Sequence, residues 1–488
     1  MPIKFGTSGW RGIVSDEVTF ANVRRCADAI ARYVTQSPIP PFPHSSAPPL
    51  LIIGHDARFL GREFAIACAK VVQQHGINVL LTDRDCPTPA IAWHIREKKA
   101  RGGINITASH NPPEYNGVKF SGPDGAPAPP EVTKLIEQLI SDSIPIQVSA
   151  LSPQPSSKTF DPRPSYFRQV RRIVDFKLLR RGRQRVVVDT MHGAGRGYLD
   201  ALLKEAGWQV ESLHENPDPL FGGHPPEPAA EHLHELAARL RKVGQASSLS
   251  NSSKRKLEAR ATIGLALDGD ADRYGVMDAD GRIFTANQIL ALTLYHLAKN
   301  RGWKGSAVRT VVTSHMIDRV AEMFGVKIHE TPVGFKYVGG IMQREPVIVG
   351  GEESNGLSVL GHVPEKDGVV ACLLMAELVA AEKKSVGAVL KELEKKIGAF
   401  HTDRINARLD EAGKERFLRK IAEGFGEFAG KQVVNVILVD GHKFVLDDGS
   451  WVAFRASGTE PVIRCYIEAH SKSECAKLRR AIEALLKE

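Results

Sequence analysis

Reduced to apolar and polar positions, the chain alternates short unbroken apolar runs with longer stretches of helical period. LLIIG (50–54), INVLLTD (77–83), INIT (104–107), RVVVD (185–189), IGLAL (263–267), TVVTS (310–314) and PVIVGG (346–351) are such runs. Each predicts a strand buried on both faces, as in sheets covered by helices. Between them GREFAIACAKVVQQHG, SYFRQVRRIVDF, ANQILALTLYHLAKN and residues 317–324 space their apolar positions as helices do. Strand, helix and strand in succession predict βαβ units. NGVKFSG (116–122) reads as a further strand and 131–139 as a helix. From about Ser385 the order changes: helices come first, then VVNVILVDG, HKFVLDDGSWVAFRAS, PVIRCYIEAHS and a last helix. That order predicts an antiparallel α+β unit.

With 488 residues the chain exceeds one core and divides into several domains. SALSPQPSSKTFDPRPS is a polar, proline-laden connector. Asp280-Gly281 closes a second unit with a hairpin turn. The expected domains are 1–155, 156–285, 286–384 and 385–488. SPIPPFPHSSAPP (37–49) reads as a surface loop, and KVGQASSLSNSSKRKLEARA (242–261) as an exposed insertion. The net charge of +9 comes from scattered residues with no basic run, which fits small anionic substrates better than nucleic acid. Six cysteines, none in a CxxC pair, predict reduced thiols without zinc or a disulfide frame. MPIKFGTSGWRG has no signal-peptide core, and VVACLLMAELVAA is too short for a membrane span and contains Glu377. A cytoplasmic protein, monomer or dimer, with no membrane segment is expected.

Candidate chemistry gathers where apolar runs end. INIT leads into Ala108-Ser109-His110-Asn111-Pro112, whose serine suits a nucleophile, a phosphate carrier or a turn cap. IGLAL ends in Asp268-Gly269-Asp270-Ala271-Asp272-Arg273. The segment is either a solvated acidic turn or a cation site: carboxylates at every second position repel one another unless a cation sits among them, and an oxygen-only set with few ligands suits Mg²⁺. PVIVGG ends in Glu352-Glu353-Ser354-Asn355-Gly356, where a Glu and a Ser two apart suit a pair of sugar hydroxyls or a helix cap. Arg455-Ala456-Ser457-Gly458-Thr459-Glu460-Pro461, with Arg464 beyond, reads as an anion nest with guanidinium clamps. FGTSGWRGI, with glycines around Thr7, Ser8 and Arg11, reads as an oxyanion loop or a flexible turn. MHGAGRG reads as close strand–helix packing more than as a phosphate loop.

In kind and order, FGTSGWRG, TASHNPPEYNGVKF, DGDADR, GGEESNG and RASGTEP resemble the signatures of the α-D-phosphohexomutase family, the phosphoglucomutases and phosphomannomutases. The resemblance covers nearly the whole chain. It implies three similar mixed-sheet α/β domains and a smaller antiparallel α+β domain around a central cleft. It implies that Ser109 carries a phosphoryl group and that Asp268, Asp270 and Asp272 hold Mg²⁺ together with a phosphoserine oxygen. Lys119, Arg11 and Lys336 are its candidates for acid–base work, His110 orients the serine loop, and Arg273 pairs with the phosphoryl group. Glu352 and Ser354 read ring hydroxyls, while Arg455, Ser457, Gly458, Thr459 and Arg464 hold the phosphate that is not reacting. The implied reaction converts glucose 1-phosphate to glucose 6-phosphate through a hexose 1,6-bisphosphate. VGFK and GEESNG resemble glucose-type members. Many mannose/glucose or glucosamine members end the sugar loop in histidine, where this chain has Gly356, and a smaller residue is commoner at Asn355. A phosphomannomutase or phosphoglucosamine mutase is the alternative within the class; a non-catalytic phosphosugar-binding protein or a phosphatase is the alternative outside it.

Overall fold

The computed structural model describes residues 3–6, 9–36, 48–141, 158–248, 263–456 and 462–487. Thr7, Ser8, residues 37–47, most of the proline-laden connector, residues 249–262 and the Ser457-Gly458-Thr459 triplet lie outside them. Among the described residues no helix is long and apolar enough to cross a membrane. All six cysteines are free and buried.

The first sheet has six strands in the order β1 (Trp10–Ile13), β5 (Tyr115–Ser121), β4 (Gly102–Ile106), β2 (Leu50–His55), β3 (Asn78–Thr82) and β6 (Lys158–Phe160). From β4 to β6 the neighbours run parallel, whereas β5 is antiparallel to both β4 and β1. The second sheet is β10 (Tyr274–Asp278), β9 (Ile263–Leu267), β7 (Arg185–Asp189) and β8 (Gln209–Leu213), with β10 alone antiparallel. The third is β12 (Ile328–Thr331), β11 (Ser306–Thr310), β13 (Val347–Glu352) and β14 (Gly356–Val359), again with only the last antiparallel. The fourth is antiparallel throughout: β15 (His401–Arg408), β20 (Val462–Ala469), β19 (Trp451–Ala456), β18 (His442–Leu446), β17 (Lys431–Ile437) and β16 (Glu427–Phe428). Three mixed-sheet α/β domains and one antiparallel α+β domain therefore make up the chain.

In each α/β domain one parallel strand turns back into an antiparallel partner. The connections β4–β5, β9–β10 and β13–β14 carry Ser109, the three aspartates and the Glu352–Ser354 cluster respectively. The Arg455 stretch occupies the β19–β20 connection. One local device, a hairpin at the carboxyl end of an apolar strand, thus presents all four candidate loops.

Several elements differ from the sequence expectation. TVVTS is not the strand: β11 ends at Thr310, and Thr310 N then bonds Thr313 Oγ1 in a turn. The strand hides because it contains Arg309, whose charge is satisfied by Asp318 and Glu330. The connector is not featureless, since Lys158–Phe160 adds a strand to the first sheet. HTDRINAR forms β15, a long strand without an apolar run. The helix His234–Ser248 runs into the expected insertion. MHGAGRG is a packing turn: a Cβ on Gly193 would lie 2.8 Å from the carbonyls of Asp268 and Gly269.

The helix Gly368–Glu382 is buried on every side and belongs to the largest core, which also draws side chains from all three α/β domains. An all-round apolar helix in a large protein is a central one. This is the run that contains Glu377, and that carboxylate is matched by His296 Nε2 at 3.0 Å, Arg301 Nη1 at 2.7 Å and the Asp175 N–H at 2.8 Å.

Candidate active site

Ser109 follows β4 in a left-handed turn, with φ of 54°. Its N–H donates to Thr107 Oγ1 at 2.8 Å, and that hydroxyl donates to Asp56 Oδ2 at 2.5 Å. The buried Arg58 then grips the loop through four carbonyls, those of Ser109, Asn111, Pro112 and Tyr115, at 2.6–2.9 Å. Burial pushes the Asp56 carboxyl up to about 6, against the pull of Arg58. Sequence reasoning missed Asp56 and Arg58, although GHDAR shows the same grammar as the other loops: charge placed just past a buried strand.

Ser109 Oγ donates to Asp268 Oδ2 at 3.0 Å, across the boundary between the first two domains. Gly269 allows the approach, because a Cβ there would stand 2.7 Å from the Ser109 carbonyl. Asp268, Asp270 and Asp272 are fully buried, and one carboxylate oxygen from each lies within 4.8 Å of the others. Asp270 Oδ2 accepts from Thr88 Oγ1 at 2.5 Å and from Lys119 Nζ at 2.7 Å. Lys119 also reaches Asp272 Oδ2 at 3.3 Å, and Lys366 Nζ reaches it at 2.9 Å.

Burial and the charges of its two neighbours push Asp268 well above the usual carboxylate range. Burial also works to raise Asp272, but Lys366, Lys119 and Arg273 hold it below that range. Asp270 is held low as well, because Lys119 and Thr88 outweigh its burial and the charge of Asp272. Asp270 Oδ1 and Asp272 Oδ1 are buried without any hydrogen-bond partner. Orphaned carboxylate oxygens cost several kcal/mol unless something neutralises them. An all-oxygen donor set with two unused buried oxygens fits a small hard cation such as Mg²⁺.

The remaining predicted residues surround this centre. His110 Nδ1 lies 3.3 Å from Ser109 Oγ, and burial with Arg273 and Arg11 nearby keeps its pKa well below the ordinary histidine value. Arg11, on β1, holds Asn111 Oδ1 at 2.6 Å. The Arg273 N–H donates to Asp268 Oδ1 at 2.9 Å, and its guanidinium meets Glu227 at 3.4 Å. Glu352 Oε1 accepts the Gly334 N–H at 2.9 Å, and burial pushes its carboxyl up to about 7. The Asn355 amide donates to the Tyr274 carbonyl at 2.8 Å, tying the third domain's loop to the second domain's hairpin. Lys336 lies over the Tyr337 ring on the cavity wall, and no hydrogen bond or ion pair among the described residues joins it to Ser109 or the aspartates. The geometry thus brings Lys119 and Arg11 to the serine centre and leaves Lys336 on the sugar-loop side.

These groups open onto a cavity of about 510 Å³ between the second, third and fourth domains, with His110 at its edge. Seven basic side chains line it, including Arg273, Lys366, Arg404, Arg408, Arg455 and Arg464, against three glutamates. A second cavity of about 450 Å³ shares Arg273, Ser354, Arg404 and Tyr466 with it, so the two form one cleft. Arg455 and Arg464 stand directly opposite each other on β19 and β20. Two guanidinium groups thus stand at one hairpin mouth, donors of the kind that bind anions. Lys366, Arg404 and Arg408 were missed from sequence. Only the alternation R-x-N-x-R in β15, which puts three polar residues on one face, could have revealed the arginines.

Four domain profiles cover the chain in order. They are described as phosphoglucomutase/phosphomannomutase alpha/beta/alpha domain I (2–145), domain II (164–281), domain III (285–397) and the C-terminal domain (405–485). The chain belongs to the phosphoglucomutase/phosphomannomutase family. A phosphoglucomutase/phosphomannomutase of Thermococcus kodakarensis is 31% identical over 472 residues, 96% of this chain and 95% of that one. A phosphoglucomutase of Komagataeibacter xylinus is 29% identical over 99% of this chain and 91% of its own. A protein assigned as a phosphomannomutase in Thermus thermophilus has a crystal structure that superposes with a TM-score of 0.84 at 32% identity, each chain covered in full. The chain is thus a phosphohexomutase, an isomerase of carbohydrate metabolism, and its relatives carry more than one sugar in their names.

Proposed function

We propose that this phosphohexomutase is a Mg²⁺-dependent, cytoplasmic enzyme of the glucose type, interconverting glucose 1-phosphate and glucose 6-phosphate. One observation carries the reading: the hydroxyl of Ser109 touches a buried carboxylate trio in which two oxygens have no hydrogen-bond partner. Asp268, Asp270 and Asp272 are the residues that would hold the cation, with a phosphate oxygen on Ser109 beside them. A bound Mg²⁺ supplies Lewis-acid neutralisation of charge on the transferring phosphoryl oxygens.

In the forward half-reaction the bond from phosphorus to Ser109 Oγ breaks as a bond to the free sugar hydroxyl forms. The hydroxyl proton passes to the protein and the product is a glucose 1,6-bisphosphate. With one serine available, that bisphosphate turns end for end and returns its other phosphoryl group to Ser109. Lys119 and Lys366, the two lysines on the trio, are ammonium groups held there by its carboxylates, and our choice for them is to neutralise the transferring phosphoryl group and donate a proton to the departing Ser109 Oγ. Arg11 steadies the serine loop through Asn111, His110 orients the hydroxyl as a neutral ring, and Arg273 flanks the phosphoryl group. Arg455 and Arg464, with Ser457, Gly458 and Thr459, hold the distal phosphate, while Glu352 and Ser354 read ring hydroxyls and Lys336 contributes charge on that wall.

VGFK and GEESNG support glucose. At Gly356 a Cβ would stand 2.2 Å from Lys366 Cδ, so a larger side chain there would require the Lys366 stem to move. A mannose or glucosamine phosphate is the second reading, because relatives bear those names, including a Methanothermobacter thermautotrophicus protein assigned as a phosphoglucosamine mutase at 30% identity. The test is product analysis of the three hexose 1-phosphates with Mg²⁺ and a trace of the matching 1,6-bisphosphate, alongside peptide mass analysis of Ser109. Glucose 1-phosphate turns over fastest and Ser109 carries phosphate if the proposal holds. The Ser109→Ala variant loses both. Net release of inorganic phosphate would instead identify a phosphatase, and an unmodified, inactive wild type a mere binder.

A further inference from the structure

Asp440 lies in the turn between β17 and β18, outside every motif the sequence singles out. Its Oδ2 pairs with Arg455 Nη2 at 2.7 Å and accepts the Val333 N–H at 2.9 Å. One carboxylate oxygen therefore joins the fourth domain's phosphate hairpin to the third domain. The next amide along, that of Gly334, donates to Glu352. The phosphate clamp and the sugar-reading carboxylate hang on consecutive N–H groups of one loop. Gly441 packs this turn against the arginine: its φ is +80°, and a Cβ there would stand 2.2 Å from the Phe454 carbonyl and 3.0 Å from Arg455 Cγ. Arg455 faces Arg464 across the hairpin, a like-charge pair that is unfavourable without a counter-charge. Asp440 supplies it from the side away from β20. Arg455 still lines the cavity, with its Nε buried and unbonded.

We infer that Asp440 is a positioning residue that presets the Arg455 guanidinium for the phosphate not undergoing transfer and ties that clamp to the sugar loop through Val333. The inference rests on the phosphohexomutase reading of the cleft. Holding a charged side chain in its binding geometry before the ligand arrives removes an ordering cost from binding. The advantage of Asp440 is therefore realised only through Arg455.

The test is calorimetric binding of glucose 6-phosphate to the full chain, to Asp440→Asn, to Arg455→Gln and to the double variant. Asparagine keeps an oxygen for Val333 N–H and removes the charge. Asp440→Asn should weaken binding roughly tenfold, and in the Arg455→Gln background it should weaken it no further, the non-additivity of two residues acting as one unit. With glucose 1-phosphate as substrate, KM should rise with little change in kcat. Wild-type affinity in Asp440→Asn, or a full additive penalty in the double variant, overturns the inference. Thermal unfolding checks that each variant is folded, and Asp440→Ser replaces Asn in the same comparison if Asn is not. Turnover by the wild type is read separately. An active wild type without the coupling leaves the mutase standing and removes Asp440; coupling in an inactive wild type does the reverse.

Discussion

Ser109, Ala271 and Asn355 adopt φ values of 54°, 55° and 64°, one left-handed non-glycine residue in each of the three hairpins that face the cleft. Such a conformation costs an L-residue roughly 1–2 kcal/mol, less for asparagine, and persists where the surroundings over-determine it. Arg58 and Thr107 do that for Ser109, and the Tyr274 backbone does it for Asn355. The same logic makes Asp270 decisive for the cation. Thr88 and Lys119 converge on its Oδ2 and leave Oδ1 free, so Asp270→Asn should weaken Mg²⁺ binding by at least about tenfold in calorimetry with the metal alone. The motif residues were readable because carboxylates and hydroxyls stand out at the end of an apolar run. Their anchors were not, because the partners of Arg58 are carbonyls, which no side-chain pattern records. Glu352 adds a pH signature. Its carboxyl is raised to about 7 by burial, so the folded state keeps a proton that the unfolded chain has already lost. Stability therefore falls as pH rises through the window from the ordinary value near 4.5 to about 7, and is flat beyond it. The shift corresponds to about 3 kcal/mol. Glu352→Gln should match the wild type near pH 4 and exceed it by about that amount near pH 8 in urea unfolding, whereas equal slopes would show that Glu352 ionises freely.

Elements were legible where burial is two-sided. LLIIG, INIT, RVVVD, IGLAL and PVIVGG all lie in strands, since a parallel strand under helices must be apolar on successive residues. Legibility failed where a tertiary partner supplied what the local pattern lacked. Arg309 sits inside β11 because Asp318 and Glu330 neutralise it, and β15 forms without an apolar run because β20 offers it eight paired positions. The helix Gly368–Glu382 is the converse case: an apolar run too short for a membrane, interrupted by a glutamate that proves structural. Removing that carboxylate leaves His296, Arg301 and the Asp175 amide facing a void. Breaking one side of a buried ionic cluster costs about 3–5 kcal/mol. Glu377→Ala should lower the urea midpoint accordingly while leaving the Ser109 centre assembled. A variant as stable as the wild type would mean that the cluster is already balanced without Glu377.

At the scale of the molecule, three hairpins at equivalent sheet positions and a fourth from a different kind of sheet converge on one cleft. The excess positive charge collects there: seven basic side chains against three glutamates line a single cavity. Arg404 and Arg408, exposed on β15, form no ion pair among the described residues and so present their full charge to the cleft. A concave wall of one sign focuses its field and raises the local concentration of a dianionic sugar phosphate. Salt cancels this contribution specifically, as the screening length shrinks from about 30 Å at 0.01 M to about 8 Å at 0.15 M. Over that range kcat/KM for the hexose phosphate should fall roughly tenfold, while kcat, set after the substrate is bound, stays within about twofold. Neutralising the exposed pair separates this field from the clamp itself. The Arg404→Gln/Arg408→Gln variant should begin with a lower kcat/KM at low salt and lose less of it as salt is added. A variant with the full wild-type salt dependence would assign the attraction to the other five basic side chains of the cavity and leave the β15 arginines as ordinary surface charge.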